Sequence, residues 1–179
     1  QVILWMTKAA KLGNSFSDLH KKGLLTKRES LEINRNLKLL QTLRTQLHLV
    51  AKRRQDVLVF DLQTQLAESF GLTSENGTRA SEKIMKQYYW AAKAVTQLNQ
   101  IIHLNIEDWL FDQGQAHPPR PLNERFLDKS GMLEVVDDGL YQRQPYAILE
   151  TFLVYQETIG IKGLSARTLR ALYNARGLM

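Results

Sequence analysis

The sequence predicts an all-α protein, an antiparallel helical bundle with two long helices and a small helical appendage at its C-terminal end. Two long stretches carry apolar residues at three- and four-residue steps, the spacing that places side chains on one face of a helix. The first stretch follows Thr26, and the second follows the Asn76-Gly77 turn. Helices with apolar stripes are stable when they bury them against one another, which indicates a bundle.

The first long helix lies in the basic half of the chain. A short helix over residues 2–12 is expected before it, broken at Gly13. Thr26 and Glu29 have the spacing of a capping box, in which each side chain satisfies the other's backbone N–H. The helix that starts there can run to about Arg54. Its apolar stripe consists of Leu40, Leu43, Leu47 and Val50.

A short helix and the second long helix follow. Asp61 is predicted to cap a helix over residues 62–70, and Gly71 suits the left-handed conformation that ends a helix. Nothing breaks helix periodicity over residues 79–111, which predicts a helix about 50 Å long. Its stripe consists of Ile84, Tyr88, Ala92, Val95, Ile102, Ile106 and Trp109.

A Pro-rich segment at residues 117–121 separates the bundle from the appendage, because proline lacks an N–H donor and favours extended backbone. Beyond it, residues 126–136 are compatible with a short β-hairpin turning at Gly131. Helices are expected from Pro145 and after Ser165. The predicted parts are a helical bundle domain at 1–112, a Pro-rich linker at 113–125, and a small hairpin and helical segment at 126–179.

Composition restricts the possible functions. The net charge is +6, and residues 1–60 hold 12 Lys and Arg against 4 Asp and Glu. This basic half could face an anion, although a solvated helix surface is the more common explanation. There is no Cys, so disulfides, thiolate metal sites and a Cys nucleophile are excluded. No apolar run reaches the roughly 18 residues of a membrane span. We expect a cytoplasmic protein with no membrane contact.

The motifs of several enzyme classes are missing. The sequence contains no P-loop, no Gly-x-Gly-x-x-Gly and no Gly-x-Ser-x-Gly. The four histidines are scattered and have no metal-ligand spacing. We therefore predict no catalytic residue, no metal site and no cofactor within this chain.

Short motifs in a fixed order carry a resemblance to a known family. The first is formed by Leu43-Arg44, Leu47-His48, Arg53, Leu58, Phe60-Asp61, Gln63 and Ala67. The later ones are Glu82, Met85-Lys86 and Tyr88-Tyr89, then Arg143-Gln144-Pro145, Ala147-Ile148-Leu149, Phe152 and Thr168-Leu169-Arg170. Together they resemble the central helical region of bacterial PII uridylyltransferase/uridylyl-removing enzymes and, more distantly, glutamine synthetase adenylyltransferases.

The resemblance implies a non-catalytic fragment of a longer nucleotidyltransferase. Such an enzyme transfers UMP from UTP to the nitrogen-regulatory PII protein and requires Mg²⁺. Its partners would be the chain's own catalytic and His-Asp domains, PII and UTP. The family's catalytic Gly-Ser with Asp-x-Asp, and its His-Asp pair, are both missing here. The alternative is a basic helical adaptor for nucleic acid or an acidic protein, ranked lower because no nucleic-acid motif is present.

Four residues are candidates for contact with nucleotide or with a neighbouring domain: Arg44, His48, Arg53 and Asp61. Arg44 and His48 lie four residues apart and share a helix face, and an arginine fork suits phosphate. The other interpretation is an internal salt bridge from Arg44 or Arg53 to Asp61. For Arg44 and His48 both interpretations stay open, whereas for Asp61 the salt bridge is favoured.

Overall fold

The computed structural model of the chain describes residues 2–111 and 118–177. The described elements, in chain order, are α1 (Val2–Ala9), α2 (Phe16–Lys21), α3 (Lys27–Ala51), α4 (Phe60–Ser69), α5 (Ala80–Phe111), β1 (Arg120–Pro121), β2 (Phe126–Lys129), β3 (Met132–Val135), α6 (Leu140–Arg143), α7 (Ala147–Glu157), β4 (Gly163–Leu164) and α8 (Ala166–Ala175). They belong to two compact units. Unit 1 comprises Gln1–Leu25 and Asn99–Met179, and unit 2 comprises Thr26–Leu98.

Unit 2 is built from α3, α4 and the first part of α5. The predicted capping box is present, since the Thr26 N–H donates to Glu29 Oε2 at 2.8 Å and the Glu29 N–H donates to Thr26 Oγ1 at 3.2 Å. Helix α3 ends when Lys52 adopts the left-handed conformation with φ 52°. Side chains of all three helices share one apolar core: Leu43, Leu47, Leu66, Ala67, Ala80 and Ile84.

The start of α4 differs from the sequence prediction. Asp61 does not cap the helix, because α4 begins at Phe60, two residues before the predicted start, and its N-cap residue Val59 makes no side-chain capping bond. Asp61 therefore lies in the first turn, where its negative charge suits the helix dipole. The other end agrees with the prediction, since Gly71 follows α4 in the left-handed conformation with φ 69°.

Unit 1 contains a four-stranded sheet in the order β1-β2-β3-β4. The first three strands pair antiparallel, whereas β3 and β4 pair parallel. The expected hairpin is present as β2 and β3, joined through Ser130 and Gly131 with φ 54° and 81°. One apolar core is formed by residues of the sheet and of the helices packed on it: Phe126, Leu133, Val135, Leu140, Tyr141, Ala147, Ile148, Ala171 and Ala175.

The all-α prediction is wrong because of this mixed sheet. Strands β1 and β4 have two residues each, too few for an alternating pattern to show in the sequence. Strands β1 and β4 form because the fold places them beside β2 and β3, whose backbone groups they pair with. Pro121 is tolerated in β1 because β1 is an edge strand, where a missing N–H donor costs no ladder bond. Residues 112–117 lie outside the described residues, and they include the part of the predicted linker that precedes Pro118.

Buried hydroxyl groups join α8 to the sheet of unit 1 and α6 to α7. Thr168 of α8 donates to the Leu133 carbonyl at 2.8 Å and accepts from the Val135 N–H at 3.0 Å. Tyr141 and Thr151 share a hydrogen bond of 2.8 Å between their hydroxyls. Both Thr168 and Tyr141 are fully buried, so these bonds have no competition from water.

Candidate contact site

A carboxylate in the connector between α3 and α4 gathers three cationic or potentially cationic side chains. Asp56 Oδ1 accepts from Arg44 Nε at 2.7 Å and lies 3.2 Å from His48 Nε2. Its other oxygen, Oδ2, is 3.5 Å from Arg54 Nε. We call Arg44, His48, Arg54 and Asp56 the Asp56 cluster.

The local fold brings these residues together although they are distant in sequence. Arg44 and His48 lie one helical turn apart on α3, so both project from the same face. The left-handed residue Lys52 then ends the helix and redirects the connector. Gln55 Nε2 donates to the Val57 carbonyl at 2.6 Å, which fixes the backbone beside Asp56.

The electrostatics of the cluster follow from these bonds. The hydrogen bond from Arg44, followed by the one from His48, lowers the pKa of Asp56 from 3.8 to about 2. The same bond raises the pKa of Arg44. The pair is thus fully charged at neutral pH while remaining open to solvent, with side-chain exposures of 58% for Arg44 and 45% for Asp56. Two arginines on one carboxylate leave a net positive charge, to which exposed Lys52 and Arg53 add.

An apolar pocket lies beside the cluster, entirely within unit 2. Its volume is about 470 Å³, within the range of ligand-binding clefts. Arg44 and Asp56 are its charged lining residues, and the other lining residues are Leu40, Leu43, Leu47, Leu58, Leu66, Tyr88 and Ala92. The site therefore combines an ion-paired rim, beside which the Asp56 cluster carries excess positive charge, with an apolar interior, which suits a partner surface or ligand that has an apolar part and a negative charge.

The structure brings together only two of the four predicted contact residues. Arg44 and His48 meet at Asp56, whereas Arg53 and Asp61 are exposed and take part in none of the ion pairs among the described residues. The salt bridge predicted from Arg44 or Arg53 to Asp61 does not occur among the described residues. Arg44 instead pairs with Asp56. One signal could have found it, because Asp56 is the only acidic residue between Glu32 and Asp61.

The described residues hold no group of three or more His, Asp or Glu side chains arranged to bind a metal ion. Across residues 2–111 and 118–177, no helix is long and apolar enough to cross a membrane. The fold and the site thus define a helix-rich module in which two arginines and a histidine surround one solvent-open carboxylate.

Comparison with known proteins identifies the family. The family model described as GlnD PII-uridylyltransferase matches residues 1–103, and the one described as uridylyltransferase GlnD third domain matches residues 126–179. The chain therefore belongs to the GlnD PII-uridylyltransferase family, which confirms the resemblance found in its motifs.

Curated relatives match the chain over its whole length. Each is a bifunctional uridylyltransferase/uridylyl-removing enzyme: one from Cupriavidus pinatubonensis is 62% identical, one from Ralstonia nicotianae 58% and one from Burkholderia vietnamiensis 56%, all over 179 residues. The chain spans only about a fifth of the length of these relatives, 20% of the first and 21% of the others. No solved structure gives a significant match.

Proposed function

We propose that this chain is the helical, non-catalytic portion of a PII-protein uridylyltransferase. In the longer polypeptide, UMP would pass from UTP to the PII protein. The relatives' names and the two family matches support this proposal. The Mg²⁺ that the reaction requires would be held by carboxylates of the catalytic domain, outside this chain, and the enzyme would work in the cytoplasm.

The Asp56 cluster is the part of the chain that we assign to contact with the catalytic domain and its nucleotide. The observation that carries this assignment is the excess positive charge of the solvent-open Asp56 cluster beside an apolar pocket. Exposed ion pairs typically contribute only about 0–1 kcal/mol each to stability, so side chains of the cluster can be replaced in a test of contact at modest cost to folding. An apolar segment of the catalytic domain can enter the pocket, while the excess cations face phosphate or carboxylate groups.

The test is the rate of PII uridylylation by the full-length enzyme at saturating Mg-UTP. We expect Arg44→Ala combined with His48→Ala to lower the rate at least tenfold. The control is Lys86→Ala on α5, an exposed lysine outside the cluster, which should leave the rate within about twofold. A normal rate in the double variant would remove the assigned role of these side chains.

The same variants must be compared for folding. Because Arg44 and His48 are substantially exposed, with side-chain exposures of 58% and 32%, their removal should leave the far-UV circular dichroism and thermal midpoint of the 179-residue chain nearly unchanged. A loss of rate with intact folding then reports contact with the rest of the enzyme. The alternative of a basic adaptor for nucleic acid or an acidic protein rests on the positive charge of residues 1–60 alone.

A further inference from the structure

Helix α7 is apolar on both of its sides. Its inner side contributes Ala147, Ile148 and Thr151, which are buried. Its opposite side exposes large apolar groups: Leu149 is 71% exposed, Phe152 48% and Leu153 57%. These three residues, with Gln156, lie within about one third of the helix circumference, given 100° per residue. We call them the outer face of α7.

The neighbouring helix α8 shows that this is unusual within unit 1. Helix α8 buries Ala171 and Ala175 on one side and Tyr173 on the opposite side, and it presents exposed Asn174 to solvent between them. A helix at a protein surface normally has such a polar side, whereas a helix that is apolar all round is normally buried. The outer face of α7 therefore has the composition of a covered surface, although the part of the chain that the structure describes leaves it exposed.

We propose that the outer face of α7 is the docking surface for another domain of the same polypeptide. The proposal rests on the proposed function, which makes this chain one portion of a longer enzyme. The matched relatives are about five times as long as this chain, so most of their sequence lies outside it. The proposed occupant is an apolar helix or strand surface of one of those other domains.

The size of the face favours a tethered domain over a second copy of the chain. Three side chains that are about half exposed or more offer on the order of a few hundred Å². Stable association of separate chains uses about 800 Å² per partner. A domain in the same polypeptide needs less area, because the connecting chain supplies a high effective concentration.

The charges near the face disfavour a lipid surface. Helices that lie on membranes carry Lys or Arg beside their apolar side, and α7 contains neither. Its Glu150 is bound by Arg125, whose Nη1 lies 3.1 and 3.0 Å from the two carboxylate oxygens. The other acid of α7, Glu157, is exposed one turn beyond Leu153, so the charge beside the outer face is negative, which disfavours an anionic lipid surface and favours an apolar protein partner.

Thiol labelling tests this proposal directly, since the chain has no Cys and a single one can be introduced cleanly. The probe is Leu153→Cys on the outer face, and the matched control is Asn174→Cys, at an exposed position of α8. Each is reacted with a maleimide in the 179-residue chain and in the full-length enzyme. We expect the ratio of the two rates, Leu153→Cys over Asn174→Cys, to fall at least tenfold in the full-length enzyme.

Two results would overturn the proposal. One is an unchanged ratio of rates, which would mean that the outer face stays exposed in the enzyme. The other is slow labelling of Leu153→Cys in the 179-residue chain that becomes fast on dilution, which would show that a second copy covers the face. Neither readout depends on UMP transfer, so failure here is distinguishable from failure of the proposed function.

Discussion

The hydrogen bonds between Thr168 of α8 and the sheet give a quantitative prediction for Thr168→Val. This change keeps the side-chain shape and replaces the hydroxyl with a methyl group. The buried Val135 N–H would lose its acceptor, which costs about 1–3 kcal/mol. The Leu133 carbonyl would lose one donor but keep the Ser165 N–H at 3.0 Å, a loss of about 0.5–1.5 kcal/mol. We expect the free energy of unfolding to fall by about 2–4 kcal/mol.

Urea unfolding followed by circular dichroism measures this change, and hydrogen exchange at the Val135 amide localises it. Thr168→Ser keeps both hydrogen bonds and should cost about 1 kcal/mol, the value of a buried methyl group. Thr42→Val makes the same replacement at an exposed position of α3 and should change stability by less than about 0.5 kcal/mol. If Thr168→Val is no more destabilising than Thr42→Val, the hydroxyl does not hold α8 to the sheet.

Three further predictions concern other parts of the chain. Burial raises the pKa of Tyr141 from 10.0 to about 12, so folding favours its protonated form. The stability that this form contributes is complete below pH 10 and is lost as pH rises through about 12. The free energy of unfolding should therefore fall less steeply with pH in this alkaline range in Tyr141→Phe. Carbon-13 NMR should give a pKa of about 2 for Asp56, and Arg44→Gln should move it toward 3.8, whereas no movement would mean that the hydrogen bond is absent in solution. Gly13→Ala should lower the free energy of unfolding by at least about 1 kcal/mol, because φ at this position is 137° and a Cβ would collide with Asp18; a neutral effect in urea unfolding would contradict that geometry.

Local signals in the sequence were sufficient for most of the helices. The capping box at Thr26 and the left-handed Gly71 depend on residues within one turn, so their pattern is visible without the fold. The same holds for the second long helix, expected over residues 79–111 and observed as Ala80–Phe111. Periodicity over about nine turns outweighs any single misleading residue.

Local patterns did not predict strands β1 and β4 or the pairing of Asp56 with Arg44. Strand β4 pairs with β3 across two helices, α6 and α7, and its two residues carry no strand pattern of their own. Asp56 meets Arg44 from a connector without regular structure, 12 residues away, where no periodicity fixes the direction of a side chain. The sequence around Asp61 resembles a helix cap, but α4 starts earlier, so Asp61 lies in its first turn. The domain boundaries predicted from the Pro-rich segment stay a prediction.

The central claim is that Arg44, His48 and Asp56 act as one positioned group through which this chain supports the catalytic domain. The most direct test is the initial rate of UMP transfer to PII by full-length enzyme carrying Asp56→Asn, which keeps the shape of the side chain and removes its charge. The account predicts a loss at least tenfold and similar to that of Arg44→Ala, with Lys86→Ala within about twofold of the unchanged enzyme. A normal rate for Asp56→Asn would contradict it.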